Sequence, residues 1–218
     1  MDVQFAQQLV ETLPRGLPGL FNPWFDICEE DTERNTPELK LRRLAAHLAC
    51  TPRFLIAGEA AGYAGCRHSG IAFTSERLIL EGAIPRLARE HERLTHRELP
   101  FSEPSATIVW KTLKFLGIAQ ETILRNALQL HPHREGQVRT NRTPTKTELA
   151  FGAPAMRLLV DAFPGVKVVA VGRKAEALLR NVGIETVSAV RHPANGGAAA
   201  FRKGLALLVA ETPGPELH

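Results

Sequence analysis

Three stretches of this 218-residue chain gather side chains able to do chemistry. The first, Gly58 to Glu76, reads GEAAGYAGCRHSGIAFTSE. It holds two carboxylates (Glu59 and Glu76), two aromatic rings (Tyr63 and Phe73) and one guanidinium (Arg67), among glycines that permit close backbone approach. The second starts at Asn126 and runs into a basic segment. The third is Arg191-His192-Pro193-Ala194-Asn195-Gly196-Gly197. A carboxylate can orient or deprotonate water. An imidazole can donate a hydrogen bond to charge as it develops. A side-chain amide offers donors and an acceptor together. Each has a plainer alternative: Phe73 as a core ring, Asn126 as a turn residue, His192 as a structural histidine, and Glu76 as a first-turn carboxylate favoured by a helix dipole. The glycine-rich stretch carries neither G-x-x-x-x-G-K-[ST] nor G-x-G-x-x-G, so it does not read as a phosphate cradle.

The elements that must position these groups follow from periodicity. Residues 2–13 place apolar side chains at helical spacing, and Pro14 to Pro23 reads as an irregular wrap. Thr36 starts a helix as N-cap, with Pro37 at its first position. Phe54-Leu55-Ile56-Ala57 is a short apolar strand ending in Gly58. The patterns predict helices over Glu76–His96 and Ser105–Leu116, the latter stopped by Gly117. A strand follows from Thr122 to about Leu130, then a basic loop from His131 to Lys146. A long helix is expected over Thr145–Phe163. Val166–Val171, bounded by glycines, is the clearest strand, followed by a helix over Arg173–Asn181, a strand over Glu185–Val190 and a last helix from Ala198 to about Glu211.

Strands that alternate with helices and are apolar throughout imply a parallel sheet covered on both faces. The expected fold class is therefore α/β, a three-layer αβα sandwich around a central, mostly parallel four-stranded sheet. One domain spans 1–218, with 1–50 as a helical N-terminal wrap and 51–210 as the core. In such sheets a ligand sits beyond the carboxyl ends of the strands, where the three stretches lie.

Composition narrows the class further. With 44% hydrophobic and 23% charged residues, the chain is expected to be globular. No run approaches a membrane span, and Met1 to Gln4 does not open a signal peptide. Cys28, Cys50 and Cys66 are widely spaced and odd in number, so no metal, cluster or other cofactor is expected, which fits a reducing cytoplasm. The formal charge of +4 is mild. More telling is the concentration of Arg134, Arg139, Arg142 and Lys146 in one loop, although a solvated charged loop would look the same.

Taken together, these segments resemble the uracil-DNA glycosylase superfamily. Gly58-Glu59-Ala60-Ala61-Gly62 is similar to the G-E-[AG]-P-G motif of the family 4 enzymes, with Ala61 at the proline. Ser69 to Thr74 resembles the small-G-R-x-F segment of families 4 and 5. RNALQLHPHREGQVRTNRTPTKTEL, from Arg125, resembles N-x-x-K-C-R-P…N-R-x-P-x-x-E, and Val190 to Ala194 resembles the H-P-[SA] motif. The strand–G-R–helix passage at Val166 to Leu179 extends the likeness, which runs from roughly residue 50 to 205. The four cluster-ligating cysteines of family 4 are absent. Ala60 stands where several families have a water-positioning Asp or Asn.

The resemblance implies an enzyme that flips uracil or another altered base out of DNA and hydrolyses its glycosidic bond. Its alternatives are a glycosylase for hypoxanthine or a modified pyrimidine, a DNA-binding member without catalysis, and a small-molecule hydrolase using the same pocket. Phe73 matches the stacking ring and Asn126 the base-reading asparagine; Gly58, Ala60 and Tyr63 complete the base pocket. His192 would stabilise the leaving base, and Glu59, in preference to Glu76, would orient water. Arg67, Arg134, Arg139, Arg142, Arg191, Asn195, Gly196, Arg202 and Lys203 are candidates for DNA contact. The expected partner is DNA, bound by a monomer.

Overall fold

The computed structural model describes residues 3–212; Met1 and Asp2, on which the expectations about the N-terminus partly rest, lie outside the described residues. At its centre is a parallel sheet of β2 (Phe54–Ala60), β3 (Thr122–Leu128), β5 (Lys167–Val171) and β6 (Ser188–Val190), in the order β3-β2-β5-β6. A separate two-stranded antiparallel ribbon pairs β1 (Leu20–Phe21) with β4 (His131–Pro132).

The strands are apolar throughout because both faces are covered. Alternation along β2 sends Leu55 and Ala57 to one face and Phe54 and Ile56 to the other. On the first face pack α1 (Val3–Glu11), α2 (Pro37–Leu48), the short α3 (Cys66–Ser69) through Cys66, α7 (Ala153–Ala162) and α8 (Arg173–Asn181). On the second pack α4 (Glu76–Leu80), α5 (Pro104–Phe115) and α9 (Ala198–Glu211). The expected three-layer α/β sandwich is thus the observed one. No described helix is long and apolar enough to cross a membrane.

Three expected elements differ. The helix from Glu76 ends at Leu80: Gly82 takes a φ of +64°, Pro85 follows, and Arg86 has a φ of +66° while its guanidinium binds the carbonyls of His47, Gln120 and Thr122. The expected helix over Thr145–Phe163 is split into α6 (Lys146–Ala150) and α7, because Gly152 packs against β3. A Cβ there would stand 1.9 Å from the Ala127 carbonyl oxygen. The basic loop is not wholly irregular. His131–Pro132 pair with the N-terminal wrap, and Asn141 Oδ1 accepts from the Tyr63 amide at 2.9 Å.

All four sheet strands run the same way, so their carboxyl ends open on one edge. The chain adds β3 to one side of β2, then crosses over to add β5 and β6 on the other. That reversal leaves a crevice above β2, the standard location for a ligand in an open α/β sheet.

Candidate active site

A cleft of about 490 Å³ occupies this crevice, its floor built by β2 and β3. Parallel register sets Gly58 beside Asn126. A Cβ on Gly58 would stand 2.8 Å from Asn126 Oδ1 and 2.8 Å from the Phe73 ring, so only glycine lets both side chains close over the strand. Asn126, 5% exposed, projects from within β3 rather than from the loop after it. Phe73 has a φ of +50°, a strained conformation for a bulky side chain. The turn holds because its neighbours are anchored: the Trp110 indole donates to Thr74 Oγ1 at 3.1 Å, and Ser69 Oγ bonds the backbone of Ile71.

His192 closes the opposite side, its ring centroid 6.2 Å from that of Phe73. The Ala194 amide donates to His192 Nδ1 at 3.1 Å. In the neutral ring this bond puts the proton on Nε2, making that nitrogen the donor. Burial, with help from Arg191, pushes the imidazole pKa below its usual value, so the ring is neutral near pH 7. Gly197 is required by the same turn: a Cβ there would meet the His192 carbonyl oxygen at 2.0 Å.

Glu59 leaves β2 into the cleft and lies 3.6 Å from Lys174 Nζ. Lys174 also donates to Thr143 Oγ1 at 2.9 Å, tying the start of α8 to the basic segment. Ala60, Arg142, Arg191 and Asn195 line the same cleft, and Gly196 follows in an exposed turn. Arg142 also grips Glu148 through two nitrogens, at 2.6 and 2.7 Å. Asn195, with a φ of +53°, is a second strained residue at the rim.

Other expected site residues lie elsewhere. Glu76 is fully buried beneath Arg93. It accepts from the amides of Leu94, Thr95 and Phe101 and from Thr95 Oγ1, at 2.6–3.0 Å. Burial alone would raise its pKa, but the bonds from Arg93, Thr95 and the Phe101 amide outweigh it and hold the carboxyl below its usual range. Such a group organises a loop and does not meet water. Arg67, 4% exposed, lies over the Phe21 ring at 3.5 Å with Nη1 3.1 Å from His131 Nδ1, so it does not reach a phosphate. Tyr63 faces a neighbouring depression, where its hydroxyl donates to Glu30. Arg139 pairs with Glu30 beside it, and Arg134 is exposed on the loop outside the cleft. Arg202 and Lys203 lie along a groove with Lys111 and Phe115, between α5 and α9, apart from the cleft.

Cleft residues not assigned to the site from sequence include Asn141, Cys66, Glu103, Arg173 and Lys174. The last two had a signal, since they open the helix after the clearest strand. Glu103 had none, being an acidic residue before a proline in what reads as a loop.

No protein-family model and no curated protein sequence matches the chain. Among solved structures, the chain is similar to wild-type SMUG2 from Pedobacter heparinus. The TM-score is 0.65 at 18% identity, over 95% of this chain and 97% of that one. The likeness extends across nearly the whole of both chains and shows a shared fold, of the uracil-DNA glycosylase type.

Proposed function

We propose that this protein is a DNA N-glycosylase, acting on uracil or a related altered base flipped into the cleft between Phe73, Asn126 and His192. The observation that carries this reading is the convergence of Gly58, Glu59, Phe73, Asn126 and His192 on one cleft at the carboxyl edge of the sheet. Sequence motifs more than a hundred residues apart meet there, in a fold shared with SMUG2.

The chemistry follows from the groups. Phe73 stacks on the extruded base. Asn126 pairs its amide with a keto oxygen and the adjacent N–H. As the glycosidic C–N bond breaks, its electron pair goes to the base, and His192 Nε2–H donates to the carbonyl oxygen that takes up charge. Glu59 stabilises the cationic sugar and orients a water, whose oxygen bonds to the anomeric carbon and whose proton passes to Glu59 or to solvent. Arg173, Lys174 and Arg191 around the rim hold phosphates. Hypoxanthine presents the same keto–N–H edge as uracil, so Asn126 admits both.

The test is incubation with oligonucleotides carrying single uracil, hypoxanthine or modified-pyrimidine residues, followed by alkaline scission. Strand breaks at the altered base support the reading. Salt-sensitive binding without abasic product would assign a non-catalytic binder, and absence of any salt-sensitive DNA affinity would leave a small-molecule hydrolase.

A further inference from the structure

We propose that Glu103 contacts the flipped base directly and does so as the neutral acid, donating a hydrogen bond to a base carbonyl oxygen. This rests on the glycosylase reading and deepens it by naming the edge that the site selects.

Geometry brings Glu103 to the base site. It precedes α5 but makes no capping bond to that helix; its carboxylate turns into the cleft instead. Gly65 admits it, because a Cβ there would stand 1.9 Å from Glu103 Oε2. Cys66, the next residue, lines the same cleft as Asn126 and Glu103. Among the described residues the Glu103 carboxyl has one hydrogen-bond partner, the Ser105 hydroxyl on Oε1, and forms no ion pair. A cleft carboxylate without a cation lacks what normally holds it ionised.

Its surroundings favour the proton. Burial pushes the Glu103 carboxyl up, and the Ser105 hydroxyl pulls it back by less. The Cys66 thiol, which lines the same cleft, is itself pushed up to about 12 and carries no charge at neutral pH. The other charged or titratable groups that line the cleft are Glu59, Arg142, Arg173, Lys174, Arg191 and the neutral His192, with Glu59 already paired to Lys174 and Arg142 to Glu148.

Chemistry then fixes the form that works. The departing base gains negative charge. An ionised Glu103 would oppose that charge, whereas the acid donates to it. A donor at this position accepts a carbonyl and rejects an exocyclic amino group. The site is therefore built for keto bases, with Asn126 and Glu103 both presenting donors to base carbonyl oxygens.

The test uses the whole chain in two measurements. Single-turnover cleavage of uracil-containing oligonucleotide should fall on the alkaline side in the wild type. Glu103→Gln, which keeps a donor but cannot titrate, should lose that alkaline limb and stay well above Glu103→Ala in rate. Glu103→Ala should lose ~10²-fold throughout, the scale of one preorganised donor, with circular dichroism confirming its fold. Separately, the Glu103 carboxyl is titrated by ¹³C NMR with and without free uracil; uracil should move its midpoint upward. An unchanged limb in Glu103→Gln, full activity in Glu103→Ala, or a midpoint indifferent to uracil would overturn the proposal. If no oligonucleotide is cleaved yet uracil raises the midpoint, the glycosylase reading falls and the Glu103 contact stands.

Discussion

Gly58 on β2 and Asn126 on β3 are register partners, and a Cβ at Gly58 would approach Asn126 Oδ1 to 2.8 Å. A missing side chain on one strand thus makes room for the reading side chain of the next. Gly58→Ala should push Asn126 and the Phe73 ring apart and lower cleavage by ~10-fold or more, the sensitivity to small misplacement expected of positioned groups. Unfolding by urea should move little by comparison, which would separate a site effect from a folding effect.

His192→Ala should slow the chemical step by ~10²–10³ and leave DNA affinity intact, because it removes a donor used as charge develops. Because the His192 pKa is depressed, its neutral form holds through pH 7 and is lost only on the acid side. A profile limited by this residue therefore declines as pH falls, on the opposite side from the limb assigned to Glu103. Stopped-time cleavage against pH checks both.

Glu76 belongs to stability. Glu76→Ala should cost about 3 kcal/mol, the scale of breaking a buried, hydrogen-bonded pair, with the remaining activity per folded molecule unchanged. Its depressed pKa means that its stabilisation is present above the unfolded-state value and is lost as pH falls through the lower folded-state value. Denaturant titrations of wild type and variant should converge at strongly acidic pH.

His47 and His131 set a second acid limit. Burial, helped for His47 by Arg86 and Arg125 and for His131 by Arg67, holds both near about 3. The folded chain then binds fewer protons than the unfolded chain between that value and the ordinary histidine value, so stability falls as pH drops below about 6.5. His47→Gln should flatten this slope if the amide can still accept from the Leu124 amide, which now donates to His47 Nε2 at 2.8 Å. Melting temperature against pH measures it.

The basic residues should divide by position. Replacing Arg173, Lys174 or Arg191 by alanine should lower the salt slope of DNA binding by ~0.9 for each phosphate that is no longer neutralised. The pair Arg202 and Lys203, in a groove away from the cleft, should be replaceable without effect. Fluorescence anisotropy at graded salt would show a different partition if DNA runs across α9.

Apolar runs between turn residues determined the layers and the parallel sheet of this protein, because both sheet faces must be buried whatever the loops do. The motif order also pointed to Gly58, Glu59, Phe73, Asn126 and His192, since residues following or ending parallel strands share one edge by topology. Tertiary structure decided what depends on long-range contact. Glu76 was drawn inward because the irregular segment after α4 returns its backbone amides to the carboxylate. Arg67 was drawn inward because the β1–β4 ribbon lays Phe21 and His131 against it. Glu103 entered the cleft through space left by Gly65, 38 positions earlier in the chain. Such pairings leave no periodicity to read, because they join residues through space at separations set only when the layers close.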